Sequence, residues 1–157
     1  MILIAVPVGI LVVLSAIGLW AYANHDRPEL IDRPDVVEIA ESACRGLSAA
    51  MAAMPYDRDA APSQRVAVIR KQDSAITALI NDVLKLDAET RADDMPTDSW
   101  LDDWADLRAA RERCADELDA AGDPVLVVPR SAGVPITDRM SSVGLDCEVP
   151  QALTHLE

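Results

Sequence analysis

Hydrophobic positions along this chain fall into one unbroken block and three periodic ones. The unbroken block, Met1 to Ala23, is interrupted only by Pro7, Gly9, Ser15 and Gly18, and no charged side chain precedes Asp26. As a helix it would run about 33 Å, enough to cross a hydrocarbon core of about 30 Å. Further on, Val37, Ala40, Cys44, Leu47, Met51 and Met54 recur at 3-4-3-4-3 spacing and so share one helical face. Pro55 closes that stretch.

A second stripe, Val66, Ile69, Asp73, Ile76, Ile80 and Val83, predicts a helix from about Ser63 to Leu86. A third, Trp100, Trp104, Leu107, Arg111, Cys114, Leu118 and Ala121, predicts one from about Ser99 to Ala121, stopped by Gly122 and Pro124. Asp35 with Glu38, and Ser99 with Asp102, have the spacing of N-terminal caps. Each of the last two stripes carries one polar intruder. Folding about a turn centred near residue 92 sets Asp73 level with Arg111, because both are equally far from it in sequence. A lone buried charge is costly, so the two are expected to form a buried ion pair.

The pattern predicts an all-α protein: a transmembrane anchor over 1–23, a neck over 24–34, an antiparallel three-helix bundle over 35–122, and an irregular Pro-rich tail over 123–157 that packs on the bundle. Within the tail, Val125 to Val128 and Val134 to Ile136 suggest a weak hairpin about Arg130 to Gly133, and Thr137-Asp138 can start a short helix through Met140.

The first block admits a second reading, since Ala21-Tyr22-Ala23 satisfies a signal-peptidase pattern. No Lys or Arg precedes the apolar run, and Trp20, Tyr22 and Arg27 sit where an interfacial belt forms, which favours an uncleaved anchor.

The chain carries 27 acidic and 14 basic residues, net −13, which sets it against nucleic acid and anionic headgroups. Phe is absent, so the core must be built from aliphatic side chains and Met. Three cysteines suit a compartment where disulfides persist, and with the acid excess they favour the extracytoplasmic side of the membrane for the soluble part. Arg27 and Arg33 pull weakly the other way under the charge rule. Cys147 has the clearest reason to be bonded, because it would pin an irregular tail. Cys44 is its expected partner and Cys114 the alternative, and all three stay reduced if the domain is cytosolic.

Catalytic signatures are missing. His25 and His155 lie in the neck and at the C-terminus, and no Cys-x-x-Cys, His-Glu-x-x-His, phosphate loop or Gly-x-Ser-x-Gly occurs. The acids Asp93, Asp94, Asp98, Asp102, Asp103 and Asp106 lack the spacing of a calcium loop. No enzyme activity, metal or cofactor is expected. The expected role is a membrane-tethered helical module, structural or for protein interaction, with a protein partner in the membrane or envelope and Trp100 and Trp104 as a possible partner surface. The alternative is an accessory binder of a small molecule or cation, using the acidic start of the third helix or a groove beside the two Trp residues.

The strings Asp98-Ser99-Trp100-Leu101-Asp102-Asp103-Trp104 with Leu107 and Arg111, Gly133-Val134-Pro135-Ile136-Thr137-Asp138-Arg139-Met140, and Cys147-Glu148-Val149-Pro150 resemble small single-pass proteins of unknown function from high-GC, actinobacterial-type bacteria. The resemblance covers about residues 36–153. It implies a membrane-anchored extracytoplasmic helical domain and no activity.

Overall fold

Proline sets the start of each long helix. In the computed structural model, which describes residues 13–15, 29–120, 122 and 124–156, helices α1 (Pro34–Ala53), α2 (Pro62–Val83) and α4 (Pro96–Asp119) all carry Pro in the first turn. A proline there has its φ already helical and lacks an N–H that the helix could not use. The expected caps are not used. Asp35 lies inside the first turn of α1, and Ser99 donates its hydroxyl to the carbonyl of Pro96 at 2.9 Å. On α2, the Gln64 side chain accepts the Ala61 N–H at 3.2 Å, the half of a capping box that Ala61 cannot return.

The stretch between α2 and α4, where the sequence suggested only a turn near residue 92, holds a short helix α3 (Ala88–Ala92). It starts where Asp87 accepts the N–H of Thr90 at 2.8 Å. The C-terminal part adds a two-stranded hairpin, β1 (Arg130–Ser131) and β2 (Val134–Pro135), then α5 (Ile136–Ser142) and a 3-10 turn at Gln151–Leu153. The hairpin pairs Arg130 with Pro135 and Ser131 with Val134. Its two turn residues, Ala132 and Gly133, have φ of 49° and 84°, the left-handed geometry that matches the twist of a tight hairpin. Val125 to Val128 form no strand, so the pairing is shorter than the apolar runs suggested.

α2 is the middle helix and packs against both α1 and α4, while α5 packs on α4. The principal core joins Val36, Ala40 and Leu47 of α1, Ile76 and Leu79 of α2, and Trp100, Trp104 and Leu107 of α4. The tail is part of this core. Ile136, Met140, Leu145, Cys147 and Leu153 are all buried in the same cluster. A smaller cluster at the other end holds Val66, Ile69, Cys114, Ala115 and Leu118 under Leu156.

Among the described residues no helix is long and apolar enough to cross a membrane. The expected span Met1–Ala23 lies outside the described residues apart from 13–15, and so does the neck up to residue 28.

Candidate functional site

Among the described residues three fastenings are buried, and the expected ion pair and the expected disulfide are the first two. Arg111, fully buried on α4, extends its guanidinium towards α2 and the C-terminal turn. Nε donates to Asp73 Oδ1 at 2.5 Å, one terminal nitrogen donates to the carbonyl of Leu153 at 2.7 Å, and the other donates to Gln72 Oε1 at 2.6 Å. Gln72 passes the connection on, donating Nε2 to the carbonyl of Met54 at the end of α1 at 2.8 Å. One arginine thus binds α2 and the tail directly and α1 through one intermediate. The planar fork of guanidinium donors suits such branching, which a lysine could not reproduce.

Asp73 is 5% exposed, and burial pushes its carboxyl above the usual range while the Arg111 charge pulls the other way. Its second oxygen finds no donor among the described residues. Gln72 was hidden in the sequence behind the Asp73 stripe. The set Ile69, Gln72, Ile76, Leu79 and Val83 has equally regular 3-4-3-4 spacing, and all five are buried.

The second fastening is the disulfide between Cys44 on α1 and Cys147 in the tail, with Cα atoms 5.5 Å apart. Cys114, the alternative partner, is free and buried in the smaller cluster, where burial raises its thiol above the ordinary value.

The third ties the tail and the neck to α4. Asp103, 4% exposed, accepts two bonds from Arg139 of α5 at 2.6 and 3.0 Å. Asp94, 3% exposed, accepts the backbone N–H groups of Asp32 and Arg33 at 3.4 and 3.3 Å, so a residue from the α3–α4 junction fastens the chain just ahead of α1. Burial raises both carboxyls, ahead of the hydrogen bonds that lower them.

Trp100 and Trp104 do not form a partner surface. They are 1% and 0% exposed and meet edge to face, with ring centroids 6.0 Å apart. Ile136 and Met140 of α5 belong to the cluster that covers them. The acidic start of α4 does not gather either. Asp93 pairs with Arg33, Asp98 with Arg91 and Asp103 with Arg139, each in a different direction. Among the described residues no group of three or more His, Cys, Asp and Glu side chains is placed to hold a metal.

Among the described residues, two of the grooves that open on the surface flank α2. One, between α1 and α2, has a volume of about 480 Å³ and is lined mainly by Ile39, Ala43, Gly46, Ala50, Ala75 and Ala78. The other, between α2 and α4, is about 410 Å³ and is crossed by Arg70, which holds Glu112 at 3.1 Å and Asp116 at 2.8 Å. Those ion pairs are solvent-exposed and contribute little. Comparison with protein-family models, with curated proteins and with solved structures finds no match for this chain.

Proposed function

We propose that this chain is a membrane-tethered helical module that docks a protein partner and performs no chemistry of its own. The observation that carries the reading is a contrast between its interior and its surface. The buried polar side chains Asp73, Gln72, Arg111, Asp94 and Asp103 are engaged in holding the chain together. The α1–α2 groove, by comparison, is open, mostly apolar and floored by small side chains, with Ser42, Asp82 and Lys85 the polar members of its lining. Small residues let a second backbone approach closely, so a helix or extended segment with apolar side chains fits there. The apolar stretch Met1–Ala23 supplies the tether, and the buried disulfide suits the extracytoplasmic side, where such bonds persist. The alternative, a cation binder at the start of α4, loses ligands, because Asp93, Asp98 and Asp103 are each paired with an arginine.

The test uses Gly46, where an added Cβ meets nothing within 4 Å. A photo-crosslinking residue at Ala78, introduced in the protein in its native membrane, should yield discrete adducts with another protein. Gly46→Leu should fold normally, fill the groove and abolish those adducts. Adducts that persist unchanged in Gly46→Leu, or no adducts at all, would overturn this assignment of the docking surface.

A further inference from the structure

The end of the bundle where the chain enters carries two outward-facing apolar side chains. Met95, at the start of α4, is 70% exposed, and Leu84, at the end of α2, is 46% exposed. Up-down topology brings these two helix ends beside the start of α1, and Asp94, next to Met95, accepts the backbone N–H groups of Asp32 and Arg33. The N–H of Ile31 in turn donates to the carbonyl of Val143 at 2.8 Å, so the chain is fastened to the bundle from Ile31 onwards.

That fastening shortens the leash. Between Ala23, the last residue of the uncharged apolar stretch, and Ile31 the backbone can span no more than about 29 Å. α4, with 24 residues, is about 36 Å long. A tethered bundle is therefore held close to the bilayer, with the end that bears Met95 and Leu84 nearest to it.

We infer that this end of the bundle rests on the lipid interface, with Met95 and Leu84 in contact with the bilayer; the inference depends on the tether proposed above. Met is unbranched and adaptable, which suits an irregular interface. At this end Asp93 and Asp98 are paired with Arg33 and Arg91, while Asp87 and Glu89 are not paired with a basic side chain among the described residues, so the contact favours zwitterionic headgroups over anionic ones, which would be repelled. Val125 at 66% and Val127 at 76%, on the stretch after α4, are also strongly exposed and serve as the comparison.

The experiment uses the full chain in phosphatidylcholine nanodiscs, with a nitroxide on Met95→Cys, Leu84→Cys or Val127→Cys in a Cys114→Ala background, labelled without reductant. Power saturation with oxygen, which partitions into lipid, and with a water-soluble nickel chelate reports the depth of each label. A higher oxygen-to-chelate ratio at 95 and 84 than at 127 is expected, and cutting the neck should remove the difference. Equal ratios, or a higher ratio at 127, overturn the end-on contact while leaving the tether intact. A chain that does not enter the disc fraction removes the tether itself, and the contact with it.

Discussion

Arg111 Nε and Asp73 Oδ1 meet at 2.5 Å, the arginine wholly out of water and the carboxylate nearly so. Breaking such a pair leaves an uncompensated charge in a low-dielectric interior. Asp73→Ala and Arg111→Ala should each cost about 3–5 kcal/mol in denaturant unfolding. Asp73→Leu combined with Arg111→Met should recover part of that loss. Recovery stops short because the carbonyl of Leu153 and the side chain of Gln72 lose their donor. A double-mutant cycle with coupling near zero would refute the pairing.

The Cys44–Cys147 bond joins positions 103 residues apart, so it removes much freedom from the unfolded chain. In the chain-entropy model a loop of that size contributes about 4–5 kcal/mol. Cys44→Ala with Cys147→Ala should lower stability by an amount of that order, and hydrogen exchange should rise first in Leu145 to Leu153. Peptide mapping without reduction should return a fragment joining 44 to 147, with Cys114 alkylated only after unfolding. A map with Cys114 in the bridge would overturn the connectivity.

Periodicity made the seam legible, and with it the intruders. Asp73, Arg111 and Cys44 stand at helical spacing among apolar neighbours, so their burial and approximate level could be read before any fold was known. Features that depend on distant partners were not readable. Asp94 and Asp103 sit in an acid-rich stretch that reads as a solvated helix start. Their partners, Asp32 and Arg33 on one side and Arg139 on the other, lie far away in sequence. The two Trp residues look like a groove wall until α5 is folded over them. Helix starts were misplaced because proline at the first position replaced the side-chain caps that Asp35 and Ser99 seemed to offer.

Asp94 holds a helix to which it does not belong. Asp94→Ala should cost about 1 kcal/mol, as the loss of buried hydrogen bonds does, and amide exchange at Asp32 and Arg33 should accelerate while the middle of α2 keeps its protection. Asp94→Asn, which keeps one acceptor oxygen, should recover part of the effect. Unchanged exchange at both amides would show that these bonds contribute nothing.

Stability should rise, not fall, as the solution is acidified from neutral towards about pH 4. Asp94 and Asp103 both have carboxyls raised above the ordinary value of 3.8, with burial the largest cause in each case. For each group the folded state takes up its proton at a higher pH than the unfolded chain does. Between the ordinary and the raised value the folded state binds more protons, so stability declines as pH increases through that window and returns as pH drops. The net charge of −13 acts in the same direction, because protonation relieves self-repulsion. Asp87 opposes the trend only at the acid limit. Its carboxyl is lowered by the N–H and hydroxyl of Thr90, so its contribution persists above the ordinary carboxylate value and is lost below it. Thermal unfolding at fixed ionic strength should show a midpoint that climbs or holds from pH 7 to 4.5, and Asp103→Asn should flatten the climb by removing one of the two groups. A midpoint that falls steadily over that range would mean that Arg139 and the backbone N–H groups of Asp32 and Arg33, and not burial, dominate these carboxylates.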